Sequence, residues 1–172
     1  MKDIRKLFRD AISRLKERGH DTLYVAVDAH GTMIKPSKQT VMMAADGADK
    51  PEEVECSCGV TQEYSFYTDG IEVLRRMTTC PDVKLILWTS TQNVTPLKMV
   101  CERYGIGFDY LNQNPDFQLT SYADFSKKFY FDIVLDDKAG FEPLKDWKKL
   151  LEIDFDKELK QEDTPSEQVS RG

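Results

Sequence analysis

Apolar residues recur along this chain in two alternating rhythms. Ile4, Leu7, Phe8, Ala11, Ile12 and Leu15 fall at three- and four-residue spacings, which puts them on one face of a helix. Lys16 and Arg18 suit its last turn, and Gly19 suits its C-terminal cap. The run Leu23 to Val27 is apolar without interruption, as a strand covered on both faces should be. The helical rhythm returns at Ile71, Leu74 and Met77, with Thr68 or Asp69 as cap, and a strand follows over Lys84 to Trp88. Thr95-Pro96 marks a second start, read as N-cap and first helical residue, for a helix burying Leu97, Val100, Cys101 and Tyr104 and ending at Gly105. Phe108 to Leu111 and Phe131 to Leu135 read as short strands. Pro143 opens a last helix with Leu144, Trp147, Leu150 and Leu151 inward. Such βα alternation predicts a three-layer α/β domain around a mainly parallel sheet.

Residues 33 to 67 break the rhythm and are too long for a simple turn. They read equally as a loop, a small hairpin or a lid, with Val41-Met42-Met43 and Tyr64 to Tyr67 as strand pieces. From Asp154 the chain turns polar, and residues 154–172 are expected to form a disordered tail after a core of residues 1–153.

Composition narrows the picture. The 172 residues suit one domain able to bury a sizeable core, with 40% hydrophobic and 31% charged residues. The net charge is -6, and no basic stripe tracks a phosphate backbone, which argues against duplex nucleic acid as partner. No apolar run approaches the roughly 20 residues of a membrane span. The charged N-terminus lacks the apolar stretch of a signal peptide, so a cytoplasmic location without membrane contact is expected. Cys56 and Cys58 form a close pair with no second pair at zinc spacing. Reduced thiols are the simpler reading, and a metal or redox pair is the other. His20 reads as a surface residue, and Trp88 and Trp147 read as core. Oligomeric state is left open.

The chemistry lies where strands end. Leu23 to Val27 runs into Asp28-Ala29-His30-Gly31-Thr32, Leu85 to Trp88 into Thr89-Ser90, and Ile133 to Leu135 into Asp136-Asp137. Open α/β sheets bind ligands at the carboxyl ends of their strands. Carboxylates from two strands can hold Mg²⁺, which prefers oxygen ligands. A hydroxyl and a lysine, Lys127 or Lys128, can hold a phosphate. A carboxylate can also attack phosphorus.

In this order, these segments resemble the motifs of the haloacid dehalogenase-like hydrolase superfamily over roughly residues 20 to 150. The resemblance implies a Rossmann-like sandwich with a small cap inserted at 33–67. So short a cap leaves the site open to larger substrates or calls for a partner chain to close it. The resemblance further implies a Mg²⁺-dependent phosphatase acting on a small phosphorylated molecule through an aspartyl-phosphate. Asp28 is then the nucleophile and a metal ligand. The backbone carbonyl of His30 is a second ligand, and Asp136 completes the metal site with Asp137 beside it. Thr89 binds phosphoryl oxygens, and Lys128 stabilises their charge. The family's phosphatases carry a second aspartate, the general acid/base, where this chain has His30. A histidine titrates near neutral pH and can move protons. The same exchange motivates two alternatives. One is a domain that binds a phosphorylated ligand or protein without turnover. The other is a metal-free dehalogenase, which the pair Asp136-Asp137 argues against.

Overall fold

The computed structural model describes residues 3–36, 52–55, 61–117, 123–125 and 128–160. Helix α1 (Ile4–Glu17) leads into strand β1 (Leu23–Asp28), which becomes the centre of the fold. A hairpin of β2 (Glu52–Glu55) and β3 (Thr61–Tyr64) follows. Then come α2 (Thr68–Thr79), β4 (Val83–Trp88), α3 (Thr95–Arg103) and β5 (Tyr110–Leu111). Strand β6 (Ile133–Leu135), a 3₁₀ turn (Asp137–Ala139), α4 (Pro143–Leu150) and α5 (Phe155–Lys160) complete it. The four strands of the main sheet lie in the order β5-β4-β1-β6, all parallel.

Alternation along β1 divides the core in two. Leu23, Val25 and Val27 face Phe8 and Ile12 of α1, Leu74 and Met77 of α2, Leu97 and Val100 of α3, and Trp147 and Leu150 of α4 in one continuous cluster. Tyr24 and Ala26 share the opposite face with Ile86. Continuous apolar runs predict cover on both faces, and both are covered, but by different means. The chain must return from β5 at one edge to β6 at the other. Along this return, Phe117, Phe129, Tyr130 and Phe131 pack over the second face. The described residues there form no helix. Phe117 stacks on Tyr130 at 4.1 Å, and Tyr24 meets Phe117 edge-on at 5.3 Å. Asp116 accepts the hydroxyls of Tyr24 and Tyr110, each at 2.8 Å, and so ties this layer to the sheet.

Several local expectations shift. The expected cap Thr68 is the first residue of α2, whose N-cap is Tyr67 with no side-chain capping bond. Thr95 likewise lies inside α3, whose N-cap is Val94. Leu144, expected inward, is 56% exposed, because its neighbours Asp146 and Trp147 take the buried face of α4. Trp88, expected in the core, is 37% exposed. Glu52–Glu55 is a strand that its charges conceal, and Val41-Met42-Met43 lies outside the described residues. The insertion leaves and rejoins the core at adjacent points. Lys35 N–H donates to Ser65 O at 2.7 Å, and Tyr67 N–H to Met33 O at 3.1 Å.

The first residues of the expected tail are ordered. Residues 155–160 are helical, and Phe155 is buried against Phe8 with ring centroids 5.6 Å apart. Lys16 Nζ donates to Glu158 O at 2.9 Å across the same contact. Truncating Phe155 to alanine is expected to destabilise the protein by about 3 kcal/mol, the low end for a buried phenylalanine, since α5 is peripheral. Chemical denaturation checks this, and an unchanged midpoint would refute packing of α5 on α1. Residues 161–172 lie outside the described residues. No helix among the described residues is long and apolar enough to cross a membrane.

Candidate functional site

The site forms where β1 stops. Asp28 is the last residue of β1, in register with Trp88 on β4, and Val27 is paired with Leu135 on β6. Parallel pairing therefore brings Asp28 and Asp136 to the same level on adjacent strands. Carboxylate oxygens of Asp28, Asp136 and Asp137 lie within 4.8 Å of one another.

A tight turn holds Asp28 in place. Ala29 O accepts the N–H groups of Met33 and Ile34 at 3.0 and 2.8 Å, and Gly31 N–H donates to Ile34 O at 2.9 Å. Gly31 has φ +93°, a left-handed conformation that costs other residues about 1–2 kcal/mol. A Cβ there would also lie 2.8 Å from the Asp137 carboxylate. Gly31→Ala is thus expected to destabilise the protein by about 2 kcal/mol. It is also expected to push Asp137 out of the cluster and weaken divalent-cation binding. Denaturation and calorimetric titration read the two effects separately. Unchanged cation affinity in a folded variant would show that Asp137 is not held by this contact.

Thr32 is fully buried and locks the turn to the opposite strand end. Its hydroxyl accepts the Asp137 N–H at 2.8 Å, and its carbonyl accepts Trp147 Nε1–H at 2.9 Å. The hydroxyl oxygen lies 3.5 Å from both Asp28 Oδ2 and Asp137 Oδ1, long for a bond to either. Asp136 caps the 3₁₀ turn, its Oδ1 accepting Lys138 N–H at 2.7 Å. Gly140, at φ +98°, ends that turn.

Electrostatics mark Asp28 out. Burial pushes its carboxyl above the ordinary value, and the charge of Asp136, then Asp137, pushes the same way. The Ala29 N–H and Lys138 oppose this. Lys138 Nζ sits 3.4 Å from Asp137 Oδ1, and the nearby charge of Asp137, with a smaller contribution from Asp28, raises its ammonium pKa. Tyr67, at the foot of the insertion, is buried and feels the Asp137 charge; burial first, then that charge, raises its hydroxyl pKa. Lys35 is 6% exposed, with Nζ 5.9 Å over the Tyr67 ring.

The residues expected to act together are only partly assembled. Asp28, Asp136 and Asp137 converge. Thr89 lies one step beyond Trp88, but its hydroxyl is engaged locally, donating to Thr91 Oγ1 at 3.0 Å and accepting Thr91 N–H at 3.2 Å. His30 is exposed on the turn, its backbone bridged to Ile34. Lys128 is exposed, and no bond to the carboxylates is found for it; Lys127 lies outside the described residues. The cation beside the cluster is Lys138, which follows the acidic pair directly in sequence. Asn112 also escaped sequence reasoning. Its side chain takes the Thr89 N–H at 2.8 Å and donates to the Thr89 carbonyl at 2.7 Å, from a left-handed backbone (φ 51°) that asparagine tolerates. Cys80 and Cys101 are buried thiols; burial raises both, Cys101 to about 12, so neither offers a thiolate near neutrality. Cys56 and Cys58 lie outside the described residues.

The chain matches no known family model, no curated protein and no solved structure. The chemistry of the three carboxylates therefore carries the functional reading. Three ionised carboxylates this close repel one another, and Lys138 alone among the described side chains is bonded to one of them as a counter-charge. Three oxygen donors with excess negative charge are a set that can hold a hard divalent cation.

Proposed function

We propose that this chain is a Mg²⁺-dependent phosphohydrolase in which Asp28 attacks the phosphorus of a small phosphate ester. The convergence of Asp28, Asp136 and Asp137 at the carboxyl edge of a parallel sheet carries this reading. Asp28, Asp136 and Asp137 would hold the cation, as would the His30 carbonyl under the family resemblance. The cation would supply charge neutralisation on the transferring group. An oxygen of Asp28 forms the new bond to phosphorus as the bond to the ester oxygen breaks. The departing alcohol takes up a proton, for which the exposed imidazole of His30 is the proton carrier nearest in sequence. Water, giving a proton back to the His30 imidazole, then attacks the phosphorus of the aspartyl-phosphate, breaking its bond to Asp28, releasing inorganic phosphate and restoring the carboxylate. Lys138 offsets charge beside Asp137. The Thr89 hydroxyl must turn away from Thr91 to reach a phosphoryl oxygen.

The test is phosphate release from nucleotides, sugar phosphates and an aryl phosphate, with Mg²⁺ and then with EDTA. Release that EDTA abolishes is the expected result. A folded protein that binds Mg²⁺ but releases no phosphate would instead be a ligand-binding domain without turnover. Halide release without metal would assign the dehalogenase reaction.

A further inference from the structure

We propose that Trp88, braced by Phe129 and Phe131, is a stacking platform for a nucleobase, so that the ester hydrolysed at Asp28 is a nucleoside monophosphate. This rests on the phosphohydrolase reading above and adds its substrate class.

Trp88 and Asp28 are register partners on neighbouring parallel strands, so their side chains leave the same face of the sheet. Earlier positions on that face, Tyr24, Ala26 and Ile86, are buried. Trp88 is 37% exposed, and of the large hydrophobics exposed among the described residues, with Met99 and Leu144, it alone ends a strand beside the carboxylates. The indole is not loose. Phe129 meets it at 6.0 Å and 85°, and Phe131 at 5.9 Å and 33°. The two phenylalanines contact each other at 5.7 Å. Three mutually packed rings hold the indole in one orientation, so little side-chain freedom remains to be lost when a ligand stacks on it. Aromatic side chains stack on any base, because every base has a π-face.

The rest of the molecule selects a mononucleotide over a polymer. The net charge of -6 and the lack of a basic stripe offer nothing to a run of phosphates. A single phosphate needs only the cation site and Lys138. Asp28 and Trp88 are register partners on adjacent strands, which lie about 4.8 Å apart, so a base on the indole and a phosphate at the carboxylates would be the two ends of one small ligand.

The test compares kcat/KM for 5′-AMP and for ribose 5-phosphate, which lacks the base. Wild type should prefer 5′-AMP by roughly five- to hundredfold, the worth of one stacked base. Trp88→Ala should bring the ratio near one, and Trp88→Phe, which keeps a ring, should retain most of it. Binding is read separately by tryptophan fluorescence in Asp28→Asn protein, since the other of the two tryptophans, Trp147, is fully buried. Quenching by 5′-AMP but not by ribose 5-phosphate is expected. Quenching without phosphate release from the wild type would keep the platform and discard the hydrolase. Phosphate release with a ratio near one and no quenching would discard the platform and keep the hydrolase. Emission that shifts with protein concentration alone would assign the indole to contact between copies and overturn the proposal.

Discussion

Asp28→Asn is expected to reduce Mg²⁺-dependent phosphate release to background and, in metal-free protein at neutral pH, to raise stability. The first effect follows from the proposed mechanism, because an amide cannot replace a carboxylate as nucleophile. The second follows from the sign of the pKa shift. Burial and the charge of Asp136 raise the Asp28 carboxyl above its ordinary value, so the folded chain holds that proton more tightly than the unfolded chain. Its contribution to stability is complete below the unfolded value and is lost as pH rises through the folded value. Asparagine has nothing to ionise and escapes that loss. Urea denaturation in EDTA should therefore show wild type and variant converging in acid and separating toward neutrality, with the variant more stable. Mg²⁺ should reverse the order, because a cation bound only by the folded state stabilises it by about 2.7 kcal/mol at a hundred times its Kd. A variant that still releases phosphate would sink the nucleophile assignment, and one less stable than wild type in EDTA would sink the electrostatic account.

Trp147→Ala is expected to cost about 4 kcal/mol or more, a large part of the 5–15 kcal/mol that stabilises a typical domain. Trp147 has no exposed surface, and its ring lies 4.8 Å from that of Phe141. Gly70 on α2 makes room for it, since a Cβ there would sit 3.0 Å from the indole. Alanine would open a cavity between α2 and α4 and leave the Thr32 carbonyl without its indole donor. Trp147→Phe separates these effects. It keeps most of the packing and loses the hydrogen bond, for about 1 kcal/mol. Thr32 also holds the Asp137 N–H, so the phenylalanine variant should lose cation affinity out of proportion to its stability. Denaturation midpoints and calorimetric Mg²⁺ titration read the two quantities. A loss below about 1 kcal/mol for the alanine variant would contradict this packing.

The sequence alone determined the features set by local rules. The apolar stripe of α1 and the continuous run of β1 appear where periodicity puts them, because helix and strand repeats are local geometry. Placing acidic residues at the ends of β1 and β6 was legible for the same reason, and the parallel sheet followed from the alternation of helices and strands.

Tertiary structure decided the rest. The strand order β5-β4-β1-β6 sets Asp28 between Trp88 and Asp136, and strand neighbours are chosen by packing over the whole chain. The charged strand Glu52–Glu55 exists through pairing with β3, a partner outside any local window. Phe155 is part of the core because α1 offers Phe8, although the residues after it read as a polar tail. Leu144 and Trp88 are exposed despite their apolar character, since burial depends on what lies opposite. At the site, Lys138 rather than Lys128 stands beside the carboxylates, and the Thr32 hydroxyl bonds a residue 105 positions away. A residue's type sets which bonds it can make, and only the folded chain sets which partners come within reach.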